Sequence, residues 1–226
     1  MKTRGYWLIG AMAVLGLIIS AVPARANTIT LTFEGLQDEE PIENYYNGGT
    51  GGFGSSGGPN YGISFDPNAL AIISGANGGS GNFSGSPSGD TIAFFLSGTG
   101  DLMEVPAGFT TGFSFFYSAV VYPGSVTVYS GLGGTGSVLA TLTLPVTPSG
   151  GAGCTYGAYC PWFPEGVTFA GTAESVSFAG TANYIGFDNI TLGSATPGGS
   201  TPEPTTMLLL GTGLGVAAIR RRLARR

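Results

Sequence analysis

Residues 90–144 read DTIAFFLSGTGDLMEVPAGFTTGFSFFYSAVVYPGSVTVYSGLGGTGSVLATLTL, and this stretch decides the fold. Short runs rich in β-branched and aromatic residues, Thr91–Leu96, Leu102–Val105, Thr111–Ser118, Ser125–Tyr129 and Val138–Leu144, are separated by glycine and proline turns. The turns fall at Ser97-Gly-Thr-Gly100, Pro106-Ala-Gly108, Pro123-Gly124 and Gly131-Leu-Gly-Gly-Thr-Gly136, the spacing of an all-β sandwich. Working outward, Gly166–Phe169, Ser175–Phe178 and Tyr184–Leu192 continue the series. Upstream, Tyr61–Phe65 and Leu70–Ile73 are short strand candidates. Thr28-Ile-Thr-Leu-Thr-Phe-Glu34 alternates strictly, with Ile29, Leu31 and Phe33 on one face. The glycine-rich stretches 47–60 and 74–89 have no periodicity and read as long loops. No ten residues of the body carry a helical apolar period, so the expected fold is all-β: an antiparallel β-sandwich, jelly-roll-like, over residues 27–194.

Charge narrows the chemistry. Of the eight basic residues, Lys2, Arg4 and Arg25 stand at the start and Arg220, Arg221, Arg222, Arg225 and Arg226 at the end. None lies between them, whereas twelve of the thirteen acidic residues lie in the body. A body without a cationic side chain cannot neutralise phosphates, which excludes nucleic acid as a partner. The chain also has no histidine, which removes the usual general base, serine triads and most zinc sites.

Both ends read as addresses. Lys2 and Arg4 precede an apolar run from Trp7 to Ile19, and Ala24-Arg25-Ala26 supplies a small-x-small cleavage site, so residues 1–26 are expected to be a signal peptide cut by signal peptidase. Residues 195–201 read as a linker. After it, Pro202-Glu203-Pro204 holds a glutamate in extended backbone that a helix cannot absorb. The fifteen uncharged residues from Thr205 to Ile219 would cover roughly 22 Å as a helix, a marginal span of a hydrocarbon core of roughly 30 Å. An arginine cluster beyond that run would stay cytoplasmic and leave the body on the outer side.

The order Pro202-Glu203-Pro204, apolar run, Arg220-Arg221-Arg222 resembles the PEP-CTERM sorting signal of Gram-negative bacteria. That resemblance implies recognition of the Pro-Glu-Pro element by an exosortase, removal of a transient inner-membrane anchor over 205–226, and delivery to the cell surface or extracellular matrix. Ser125–Leu132, Gly136–Leu142 and Gly186–Gly193 are similar to segments of other PEP-CTERM surface proteins. Thr32-Phe33-Glu34 and the closing Gly186–Gly193 are also similar to jelly-roll carbohydrate-binding modules, in which carboxylates of the first and last strands share a structural calcium. Carried over, Glu34 and Asp188 would be the ligands; the alternative is that Asp188-Asn189 caps a turn into the last strand.

Cys154 and Cys160, with five residues between them, are expected to form a disulfide in an exported chain, stapling a loop tip by roughly 2 kcal/mol. A redox pair or a metal site would need two intervening residues or further ligands. Aromatics in loops, namely Tyr45, Tyr46, Phe53 and the group Tyr156, Tyr159 and Trp162, are candidates for stacking on sugar rings. The resulting expectation is a non-catalytic exported protein that associates with exopolysaccharide. The alternatives are a carboxylate-dependent glycoside hydrolase drawing on Glu34, Glu104, Glu165 and Glu174, and a structural or adhesive subunit with no small ligand.

Overall fold

The computed structural model describes residues 28–198. The signal-peptide site at Ala24 and Ala26, Pro202-Glu203-Pro204, the expected C-terminal helix and Arg220–Arg222 lie outside the described residues. Ten strands carry the body: β1 (Ile29–Leu31), β2 (Glu40–Pro41), β3 (Ser64–Phe65), β4 (Ala69–Ile73), β5 (Thr91–Phe95), β6 (Gly100–Ser118), β7 (Gly124–Gly131), β8 (Thr135–Leu144), β9 (Phe163–Ala179) and β10 (Gly186–Leu192). Every ladder between them is antiparallel. Among the described residues, the helical segments are two 3-10 turns, Tyr45–Asn47 and Gly75–Asn77.

Two long strands make the sandwich. Residues 113–118 of β6 lie between β10 and residues 163–167 of β9, while residues 100–104 lie between β3 and residues 175–179 of β9. One sheet therefore runs β2-β4-β5-β10-β6-β9, with β1 beside β10, and the second runs β3-β6-β9-β7-β8. The first and last strands are neighbours, Ile29 opposite Leu192 and Leu31 opposite Ile190. Between the sheets, Phe178 of the second packs against Phe113, Phe115 and Phe187 of the first, with ring centroids 6.1, 6.3 and 4.9 Å apart. Val126, Val128, Val176 and Met103 complete this buried layer.

The passage from one sheet to the other corrects the sequence reading. Pro106-Ala-Gly108 is not a turn between strands; it lies inside β6. There the register against β9 shifts between Glu104 and Phe109 and again before Thr111, and Gly108 and Thr111 take left-handed backbone (φ 69° and 76°). Extra residues on one strand bend it without ending it, and a bulge leaves Pro106 no ladder donor to supply. Likewise Gly166–Phe169 and Ser175–Phe178 are parts of one strand, bent near Gly171 (φ 94°). The first strand ends early, because Phe33 turns left-handed (φ 63°).

Tyr45 and Tyr46 are a second correction, because both are buried instead of open to a ligand. The Phe33 N–H donates to the Tyr46 hydroxyl (2.6 Å), and the Tyr45 hydroxyl donates to the Glu34 carbonyl (2.9 Å). Glu40, wholly buried, organises the glycine-rich loop that follows. Its Oε1 accepts the N–H groups of Phe53 (2.9 Å) and Ser55 (3.0 Å), and its Oε2 accepts the Gln37 N–H (2.7 Å) and the Ser55 hydroxyl. Burial raises the Glu40 carboxyl, but these donors together outweigh it and hold it below its ordinary value. A Cβ on Gly51 would stand 2.6 Å from that carboxylate, so the loop closes round it only as glycine.

Candidate functional site

All five residues of β5 are buried, the mark of a strand covered on both faces. Ala93 and Phe95 point to the main core, whereas Ile92 and Phe94 join Ile72, Phe83 and Trp162 in a second apolar cluster on the outer face. Leu70, Phe116 and Tyr159 pack against it.

Two loops cover this face by binding each other. The N–H groups of Ala158 and Tyr159 donate to the Asn82 carbonyl (3.0 and 3.1 Å), and those of Thr155 and Tyr156 donate to the Ser84 hydroxyl (3.1 and 3.0 Å). The Trp162 indole N–H donates to the Ser84 carbonyl (3.0 Å), and its ring meets Phe83 edge-on at 5.9 Å. The expected disulfide joins Cys154 to Cys160 and closes the second loop. Gly186 makes room for the cover: a Cβ there would stand 2.7 Å from Ile92 Cδ1 and 3.1 Å from the indole.

The cover leaves a cleft of about 150 Å³. Ile72, Ile92, Phe94, Phe83 and Ile185 supply apolar lining, and Ser80, Asn82, Tyr159 and Asn183 supply neutral polar groups. No acidic residue lines it. The Tyr159 hydroxyl donates to the Asn183 carbonyl (3.2 Å). Burial, with Tyr184 beside it, pushes the Tyr159 phenol up to about 12, so it stays a neutral donor at any physiological pH. Tyr184 in turn meets Tyr122 edge-on at 4.9 Å, and both are exposed.

The three aromatics grouped from the sequence therefore separate. Tyr159 lines the cleft, Trp162 lies buried beneath the cover, and Tyr156 rests its ring over Gly75 with its edge exposed. Asn82, Asn183 and Ile185 were missed, because isolated asparagines in glycine-rich loops carry no periodic signal. Phe53 is exposed, 59%.

Glu34 and Asp188 come to opposite sides of one loop. Glu34 Oε1 accepts the N–H groups of Asp90 (3.0 Å) and Thr91 (2.9 Å). Asp188 Oδ2 accepts the Ser88 N–H (2.8 Å), and its Oδ1 accepts the Ser88 hydroxyl and the Asn189 N–H (both 2.7 Å). Burial, with the Glu34 charge adding to it, pushes Asp188 up to about 7 against the pull of those donors. Glu34 Oε2 has one weaker contact, the Thr91 hydroxyl at 3.5 Å. Among the described residues no three acidic or cysteine side chains converge as a metal site. The arrangement as it stands is a latch for residues 88–91.

Residues 200–222 match the PEP-CTERM protein-sorting motif, so the chain carries the mark of an exported protein sorted to the cell surface by exosortase. No curated protein sequence matches the chain. Among solved structures, the K2 cleaved adhesin domain of Lys-gingipain is similar at TM-score 0.47 and 14% identity, over 74% of this chain and 99% of that one. The C-terminal family 6 carbohydrate-binding module of the Zobellia galactanivorans laminarinase LamC is similar at TM-score 0.31 and 17% identity, over 55% and 98%. A family 43 arabinoxylan arabinofuranohydrolase from Bacillus subtilis, in complex with cellotetraose, is similar at TM-score 0.36 and 18% identity, over 55% of this chain and 24% of that enzyme.

Proposed function

We propose that the body is a non-catalytic module that associates with neutral exopolysaccharide, and that an exosortase removes its C-terminal anchor near Pro202-Glu203-Pro204 and frees it to the surface or matrix. One observation carries the sugar reading: the cleft joins an apolar floor to hydroxyl and amide groups and has no ionisable carboxylate. A pyranose ring presents an apolar face and a rim of hydroxyls, which such a surface complements. Twelve carboxylates and no base in the body make an acidic polysaccharide an unfavourable partner. The missing acid in the cleft supports binding without hydrolysis, since glycoside cleavage needs a carboxyl pair across the scissile bond.

The test is a titration of the chain against neutral polysaccharides, including exopolysaccharide from the native host. Saturable binding is expected, weakened about tenfold by Tyr159→Ala and by Asn183→Ala, the equivalent of one lost hydrogen-bonding contact. Binding that both variants leave intact would remove the cleft from the reading. Absence of binding to every polysaccharide would leave a structural or adhesive surface protein.

A further inference from the structure

The second sheet ends in an open edge. Among the described residues, β8 pairs with β7 and with no other strand. The other strands at sheet margins are short: β2 and β3 have two residues each and β1 has three, whereas β8 has ten. An unpaired strand offers a row of N–H and C=O groups to any extended chain, and proteins usually blunt such an edge with lysine, proline, a bulge or a covering loop. β8 contains no charge and no proline. Its register against β7 is regular from Ala140 to Leu144, with the shift confined to the hairpin end beyond it. Val138, Thr141 and Thr143 are exposed along it, Val138 at 57%.

Charge selects the partner. The body carries twelve carboxylates and no basic residue, so two copies repel each other over most of their surfaces. Residues 105–164 hold no charged side chain at all, and β8 lies within that stretch. In space, Glu104 accepts the Gly133 N–H at the hairpin end of β8, so a second copy can approach over Ala140–Leu144, at the far end of the strand, without bringing that carboxylate into the contact. The pairing is also self-complementary, because two antiparallel copies of one strand related by a two-fold axis satisfy each other's donors and acceptors.

We propose that β8 is the strand through which two copies of this chain join edge to edge, extending two five-stranded sheets into one of ten. Only the five regular residues of each strand pair without distortion, so the contact is weak and depends on concentration; at a crowded surface it would link neighbouring molecules.

Sedimentation of the full chain in a non-ionic detergent, over a rising concentration series, tests this. The wild-type chain should pass from one to two bodies per particle, and Thr141→Lys or Thr143→Lys, each adding two like charges on diagonal positions beside the two-fold, should remain single over the same range. Leu96→Lys, exposed but remote from β8, should pair like wild type. In the wild type, amide exchange of Ala140–Thr143 should slow as the particles pair. A wild-type chain that stays single overturns the proposal. So does association that both lysine variants leave unchanged, which would place the contact in the apolar tail, and so does pairing without slowed exchange in β8.

Discussion

The two sheets of the sandwich share β6 and β9 yet meet solvent differently. The first is covered on both faces: Phe95, Phe113 and Phe187 face the main core, and Ile72, Ile92 and Phe94 lie under two interlocked loops. The second is covered on one face, and its last strand alternates between half-buried Ala140 and Leu142 and exposed Thr141 and Thr143. Covering a face twice uses up most of its surface and leaves a shaped cleft. Covering it once leaves a long edge. The cleft and the open edge thus come from unequal treatment of two halves of one ladder.

Substitutions in the two layers should separate the halves by energy. Phe83→Ala should lower unfolding free energy by about 3–5 kcal/mol in denaturant titration, the cost of a large buried aromatic. A loss under about 1 kcal/mol would mean that the outer cluster is loose cover and the first sheet resembles the second. Replacing both cysteines with serine should cost about 2 kcal/mol by the same measurement and weaken sugar binding with it, because the loop that carries Tyr159 would have more freedom.

Each sheet also holds a buried acid. Asp188 is pushed up to about 7, and Asp101, buried at the start of β6 with Oδ1 unpartnered, is raised well above its ordinary value by burial and then by Asp66. Each holds its proton more tightly folded than unfolded, so its stabilising contribution is full below pH about 4, the unfolded value, and is lost as pH rises through the folded value. The melting temperature should fall between pH 4 and pH 7. Asp101→Asn should raise it at pH 7 and change it little at pH 4; an equal change at both would show that packing, not charge, governs the site. Millimolar calcium separates a bare latch at Glu34 and Asp188 from a shared cation site: a rise in melting temperature that Asp188→Ala abolishes marks the cation site, and an unchanged melting temperature marks the latch. The smallest effect belongs to the second sheet: Val138→Thr should stay within about 0.5 kcal/mol of wild type.

Much of this fold was legible from alternation and turn chemistry. Thr91–Leu96 and Leu70–Ile73 match β5 and β4 to within one residue at either end, and the adjacency of first and last strands follows from the jelly-roll expectation. Pro106-Ala-Gly108 misled because a bulge and a turn use the same residues; only a partner strand decides whether the chain reverses or bends. Glycine-rich stretches hid the site, because composition shows that a loop cannot form its own core but not that Glu40 or Asn82 will hold it. The cysteine spacing predicted the staple, and the surface it serves, shared with Phe83 some seventy residues away in sequence, is a long-range contact without a local signature.

The pairing of Ile29 with Leu192 brings the two ends of the body out side by side. A molecule held by its C-terminal flank therefore hangs from one point, and drag on the rest of the body does not pull along the strands. Tension applied between the two ends would act on the β1–β10 ladder from its open end, parting Ile29, Thr30 and Leu31 from their partners one after another instead of shearing all three at once. Under such tension β1 is expected to part first, with the ladder of β6 and β9 still closed.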